Sequence, residues 1–391
     1  MSKFNIPIAR TSLSDEEISS VLEPLKSGWL VQGPLVEDFQ NKWSKFTGSK
    51  NSIAVTSCTS ALHLSLASLG FKEGDEAIVP AFTWISTANV VEHLGGRVEF
   101  CDIDLDTFNI DINKIEEKIT HKTKAILPVH LFGLSADMDP ILEIAKKYNL
   151  WVVEDAACGF GSFYKGKHVG TLGDTGCFSF HPRKAITTGE GGMITTHSDS
   201  IASKLRCLRD HGAELSDLQR HLGPRPYLLS NHPEAGYNQR MTDIQAALGS
   251  MQMNRADEII KERKSIAKIY DEEFKNLSFL QIPKESEGYS HGYQSYPCLF
   301  MPDEVKENNI DETNSKRNKW MEKLALEGIS TRPATHAVHM LEYYSKKYGI
   351  KPEDFPNSHA ANNCSISFPL FHGLKIDEQS YVIEKVLEFK N

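Results

Sequence analysis

No stretch of the chain approaches the roughly 20 consecutive apolar residues of a membrane helix. The first residues, Met1-Ser-Lys-Phe-Asn-Ile-Pro, lack the apolar core that a signal peptide needs. A membrane is therefore not an expected partner, and the expected address is cytoplasmic. Cysteine is scarce: Cys58, Cys101, Cys158, Cys177, Cys207, Cys298 and Cys364 are scattered, odd in number and never spaced as CxxC. That pattern argues against a disulfide framework and a zinc site, so no metal is expected, and most of these cysteines read as small buried apolar residues. Positive charge is in deficit, with 43 Lys and Arg against 52 Asp and Glu, and no basic patch offsets the formal net charge of -9. Nucleic acid and anionic membrane surfaces would be repelled. Repeats and low-complexity tracts are also missing.

What remains is a globular composition, 40% hydrophobic and 24% charged, over 391 residues. That length exceeds what one core usually organises, which predicts a large domain plus a smaller one. Between about residues 50 and 200, short β-branched runs alternate with amphipathic stretches. The runs Ser52–Ser57, Glu76–Pro80, Arg97–Asp102, Lys124–Pro128 and Leu150–Glu154 read as strands. This rhythm predicts an α/β fold, a mainly parallel sheet between helices, with a ligand beyond the carboxyl ends of the strands. The segments 56–59, 80–84, 128–133 and 155–161 are then expected to converge. Residues 213–235 read as one long loop. Beyond residue 265 the pattern becomes α+β, with helices at Ile266–Asn276, Lys316–Glu327 and Asp377–Phe389 and strands near Leu277–Ile282 and Gly292–Leu299. The expected division is an N-terminal arm (1–30), a large domain (31–262) and a small C-terminal domain (263–391). The arm, through Gly33–Pro34, is expected at the interface of the two.

Three stretches carry chemistry. In 176–194 an apolar strand runs into Lys184, bracketed by small residues and glycines that let a ligand approach backbone. A Lys shielded from water and near a cation has a depressed pKa and forms a Schiff base with an aldehyde. Taken alone, it is also what a solvated loop looks like. In 150–157 an apolar strand ends on Glu154-Asp155, an acid suited to a cationic ligand atom or equally to capping a helix. In 56–63 hydroxyl residues open an amphipathic helix, either a phosphate cradle or a plain N-cap cluster.

Cradle, acid and lysine in this order resemble the DegT/DnrJ/EryC1/StrS family of aminotransferases dependent on pyridoxal phosphate (PLP). Matching segments are Gly28-Trp-Leu-Val-Gln-Gly-Pro-Leu, Thr83-Trp, Pro128-Val-His-Leu-Phe-Gly, Glu154-Asp-Ala-Ala, the 178–192 stretch, Gly236-Tyr-Asn-Gln-Arg-Met-Thr-Asp-Ile-Gln-Ala-Ala, Phe355-Pro-Asn and Phe368-Pro-Leu. The resemblance covers nearly the whole chain and implies the fold type I, aspartate-aminotransferase-like architecture. It implies that Lys184 carries the cofactor and moves the proton, that Asp155 pairs with the pyridine nitrogen, and that Trp84 stacks on the ring. Backbone around Cys58 and Thr59, the Ser179 hydroxyl and Asn238 from a second subunit would hold the phosphate, which makes a homodimer with shared sites necessary. His181 and Glu190 match positions near the lysine, and His181 is taken as a substrate contact.

Two departures stand out. Cys158 replaces the usual Gln or His, a weaker hydrogen-bonding partner for the cofactor's phenolic oxygen. The stretches 213–235 and 331–339 are also unusual, and in the latter Arg332, His336 and His339 are candidates for an anion, or else a surface Arg with helix-flanking histidines. The resemblance implies amino transfer from L-glutamate, through the PLP and PMP (pyridoxamine phosphate) forms, to a nucleotide-linked keto-deoxy sugar for a surface glycan. A small phosphorylated ketone is the alternative acceptor. A PMP-dependent sugar dehydratase would replace the lysine with His, and a catalytically silent scaffold would lose lysine or acid; Lys184 and Asp155 speak against both.

Overall fold

The computed structural model describes residues 4–215, 227 and 229–389. At its centre lies a seven-stranded sheet of β1 (Asn51–Val55), β2 (Glu76–Pro80), β3 (Arg97–Cys101), β4 (Thr123–Ile126), β5 (Trp151–Asp155), β6 (Thr175–Ser179) and β7 (Gly192–Thr196). The order across the sheet is β1-β7-β6-β5-β4-β2-β3. All run parallel except β7, which is antiparallel to both β1 and β6. The two-residue period of a strand feeds two cores. Ile53, Val55, Val153, Cys177 and Ile194 join Leu62 and Leu64 on one face, whereas Ala54, Phe178 and Met193 join Phe39 and Trp43 on the other. Burial on both faces is why these strands read as continuous apolar runs.

The five expected strands are present. The first ends at Val55 rather than Ser57, because Ser57 is extended only as the cap of the helix Cys58–Leu69. Strand β7 begins on Gly192, where a Cβ would lie 2.5 Å from the Ser57 carbonyl carbon and 2.8 Å from the Cys58 nitrogen. Glycine there lets the start of the helix settle onto the sheet.

A second, antiparallel sheet joins β8 (Leu280–Gln281), β9 (Tyr296–Phe300) and β10 (Ser365–Phe368), with β9 in the middle. The helices Ile310–Leu326 and Ile376–Leu387 cover it through Trp320, Leu324, Val382 and Val386. The strand expected from Gly292 starts at Tyr296, because Gly292 and Gln294 donate instead to Gly133 and Phe132 carbonyls of the large sheet's loops. The helix expected from Ile266 begins ten residues earlier, at Ala256. Its first turns, Ala256 and Ile259, belong to the large core, and Ile266, Tyr270 and Phe274 to the small one. Strand pairing of His336–Ala337 with Phe82–Thr83 ties the 331–339 stretch to the large sheet. Of the loop expected at 213–235, residues 216–226 and 228 lie outside the described residues.

The N-terminal arm starts in the small core, where Ile6 pairs with Ile329. It passes Pro182, whose carbonyl accepts from the Thr11 hydroxyl at 3.1 Å, and locks at Glu17, which accepts from Arg255 Nε and Nη2 at 2.8 and 3.0 Å. Among the described residues no helix is long and apolar enough to cross a membrane.

Candidate active site

The carboxyl ends of β1, β4, β5 and β6 meet at one edge of the large sheet, and consecutive residues of β5 divide the labour there. Glu154 points away from the opening. It is fully buried, accepts from the amides of Gly170, Leu172 and Gly173 at 2.6–2.7 Å, and meets His130 Nε2 at 2.8 Å. His130 Nδ1 accepts from the Ala136 amide, so Nε2 carries the hydrogen and donates to Glu154. Burial would push the Glu154 carboxyl up, but His130 and the loop amides outweigh it and hold it below the usual range.

Asp155 points the other way, to the opening, and is 4% exposed. Its Oδ2 accepts from the Thr87 hydroxyl at 2.7 Å and its Oδ1 from the Ala157 amide at 3.1 Å. Among the described residues no cation lies within ion-pair distance. Burial therefore pushes this carboxyl up, against the smaller opposing pull of Thr87, Ala157, Lys184 and His130. A buried acid with hydrogen-bond donors but no cation is suited to a protonated ring nitrogen.

Past the end of β6, the chain turns through His181, whose carbonyl accepts from the Lys184 amide at 2.8 Å. The turn delivers Lys184 Nζ to 3.1 Å from Cys158 Sγ, just beyond β5. Burial pushes the Lys184 ammonium down, but Cys158, Cys58 and Asp155 together prevail and hold it above the ordinary lysine value. The depressed value expected from the sequence assumed a cationic neighbour; the actual neighbours are two thiols and a carboxylate.

The third element is the helix Cys58–Leu69. Its cap Ser57 accepts from the Ser60 amide at 3.1 Å, and its first intrahelical bond runs from Ala61 to the Ser57 carbonyl. The amides of Cys58 and Thr59 precede that bond, so they are open donors at the positive end of the helix dipole. Ser179 stands opposite Gly192 in the sheet register, and Gly192 in turn abuts Ser57 and Cys58, which brings the Ser179 hydroxyl to the same cradle. Lysine, buried acid and open helix end fit the three handles of PLP: aldehyde, ring nitrogen and phosphate.

At the rim, Trp84 is 59% exposed, and its ring centroid lies 5.7 Å from that of His336. Arg332 is exposed as well, and among the described residues its guanidinium donates only to the Thr331 carbonyl at 3.0 Å, leaving most of its donors open to an anion. His339 does not join them. It is fully buried against Phe355, with Nε2 facing the Pro352 carbonyl, so the anion role considered for it is withdrawn. His181 spends Nδ1 on the Arg183 amide at 3.2 Å. Asn238 pairs with Asp210 beyond the edge strand β1. Glu190 offers its carbonyl to Thr188 and Gln245.

Three residues that the sequence reading missed shape the site: Thr87, His130 and, in its clamping role, Glu154. Thr87, in the first turn of the helix Ser86–His93, follows the strand residue Thr83 by four positions, and the hydroxyls of the two lie 3.2 Å apart. With its single hydrogen given to Asp155, Thr87 accepts from Thr83, which makes a two-hydroxyl relay onto the acid.

A family model described as the DegT/DnrJ/EryC1/StrS aminotransferase family matches residues 11–387. GDP-perosamine synthase of Escherichia coli O157:H7 is 38% identical over 385 residues, covering 98% of each chain. The spore coat polysaccharide biosynthesis protein SpsC of Bacillus subtilis is 37% identical over 382 residues, covering 97% of this chain and 96% of its own. Among solved structures, Spr1654 of Streptococcus pneumoniae in its PLP form superposes with a TM-score of 0.87 at 29% identity, covering 97% of each chain. The same protein in its PMP form gives an equal score.

Proposed function

The chain belongs to the DegT/DnrJ/EryC1/StrS aminotransferase family, and from that premise we propose that it transfers the amino group of L-glutamate to the keto group of a nucleotide-linked keto-deoxy sugar destined for a surface glycan. It is a PLP-dependent aminotransferase. The observation that carries the reading is the meeting of Lys184, the buried acid Asp155 and the open helix end at Cys58 and Thr59 on one sheet edge. The sugar acceptor draws on the relatives, one named for GDP-perosamine synthesis and one for spore coat polysaccharide.

Bound PLP supplies an aldehyde that takes up an amino group and a protonated ring that withdraws electrons from the carbon losing its proton. The protein's part is to hold, orient and move protons. Asp155, kept in place by Thr87 and the Ala157 amide, holds the proton on the ring nitrogen. Lys184 is the residue that would hold the aldehyde carbon, and its amine, when free, is the group placed to move the proton between the carbons that change oxidation state. The amides of Cys58 and Thr59 and the hydroxyl of Ser179 bind the phosphate, with Asn238 of a second protomer completing the cradle in a homodimer. Trp84 covers one face of the ring. Arg332 and His336, beside Trp84 at the rim, bind the anionic part of a substrate, with His181 nearby. The cytoplasm, where nucleotide-linked sugars and glutamate are both at hand, is the proposed setting.

An acceptor panel tests the proposal. The PMP form is mixed with nucleotide-linked keto-deoxy sugars and, separately, with small phosphorylated ketones, and return of the Lys184-bound chromophore is followed. Return with the sugars supports the reading. Return with the phosphorylated ketones alone overturns it.

A further inference from the structure

Two cysteines face the candidate site, and the charged atom nearest each sulfur differs in sign. Cys158 Sγ receives the hydrogen bond from Lys184 Nζ at 3.1 Å, and among the described residues Nζ has no other hydrogen-bond partner and no carboxylate within ion-pair distance. A second cation acts on the same sulfur. Arg263 is buried and spends its donors on the carbonyls of Tyr293, Gln294 and Leu370 at 3.0, 2.6 and 3.4 Å, with no carboxylate partner. Burial pushes its guanidinium down to about 10, and Cys158 is the foremost group opposing that shift.

Cys58 is the internal control. Its sulfur lies 4.0 Å from Asp155 Oδ1 and 3.5 Å from the Cys177 carbonyl, so burial first and Asp155 second push this thiol well above its ordinary value. Both cysteines are half-buried. Sulfur in contact with a cation is activated as a nucleophile, and sulfur beside a carboxylate is suppressed.

We infer that Cys158 is the reactive thiol of this site, activated toward small electrophiles by its contact with the Lys184 ammonium. The inference does not depend on the aminotransferase reading. Cys158 touches the nitrogen that reacts, and alkylation of its sulfur would crowd Lys184 out of position.

The test is cysteine-by-cysteine alkylation of the full-length protein, freed of cofactor, with limiting iodoacetamide across a pH series. In each event the sulfur displaces iodide, an S–C bond forms, and any thiol proton goes to solvent. Peptide mass mapping gives a rate for each cysteine. Near neutral pH, Cys158 is expected to react roughly 10-fold faster than Cys58, and Lys184→Ala to slow Cys158 by roughly 10-fold, more than it slows Cys58. Lys184→Arg, which keeps the cation, retains the fast reaction and guards against a misfolded alanine variant. A Cys158 no faster than Cys58, or one indifferent to Lys184→Ala, overturns the inference. If the wild-type protein transfers no amino group to any acceptor, the functional reading fails, while the alkylation rates still decide the inference.

Discussion

The Thr87 hydroxyl donates to Asp155 Oδ2 across 2.7 Å, from the first turn of the helix Ser86–His93 to the end of β5. Asp155 has a second donor in the Ala157 amide but, among the described residues, no cation within ion-pair distance, so the hydroxyl is a main support for its charged form.

Thr87→Val removes that donor while keeping the shape. A hydrogen bond to a charged group contributes about 1.5–3 kcal/mol, so kcat is expected to fall by roughly 10- to 100-fold. Thr87→Ser should recover most of the loss. The check is steady-state kinetics beside the spectrum of the bound cofactor, whose ring protonation should weaken in the valine variant only.

Asp155→Asn separates the cost of the acid from its use. Burial raises the Asp155 pKa in the fold, so its ionised form opposes folding. Stability linked to this group is full below the ordinary value of 3.8 and declines as pH rises through the raised one. A bound ring cation relieves that cost. Cofactor-free Asp155→Asn is therefore expected to melt above the cofactor-free wild type at neutral pH, to gain less from added PLP, and to lose amino transfer. Thermal melts with and without PLP check the first two points.

Glu154 has the opposite sign. Its pKa is lowered in the fold, so the stability it contributes is full above 4.5 and is lost as pH falls below that value. Glu154→Ala leaves the Gly170, Leu172 and Gly173 amides and His130 without their acceptor, at a cost of about 3–5 kcal/mol of stability. Urea unfolding at neutral pH measures the loss, and the same titration in mild acid should show the gap between variant and wild type narrowing.

Arg332→Ala should act on binding. Loss of an exposed cation at the rim is expected to raise KM for one anionic substrate by roughly 10-fold with kcat nearly unchanged. Which substrate responds, glutamate or the acceptor, identifies the anion that Arg332 holds.

Much of this architecture was legible in the sequence because parallel strands buried on both faces leave runs such as Glu76–Pro80, which the fold reproduces residue for residue. Strand ends were less legible, since Thr56 and Ser57 are β-branched or extended yet serve a helix start. Lys184 and Asp155 stood out by their placement after apolar strands. Thr87 and His130 did not, because a Thr one turn into a helix and a His after a strand are unremarkable until the sheet brings both onto β5. His339 misled for the reverse reason: a His beside an Arg suggests an anion site, but the preceding strand pair turns it inward against Phe355. The helix Ala256–Phe274 hid the change of core, since a single periodic stretch serves two of them.

The most direct measurement is borohydride reduction of the yellow protein followed by peptide mapping. The account predicts the cofactor's mass fixed on the nitrogen of Lys184 and nowhere else, with no label in Lys184→Ala. Label on another residue, or an unmodified Lys184 in protein that still transfers amino groups, would contradict it.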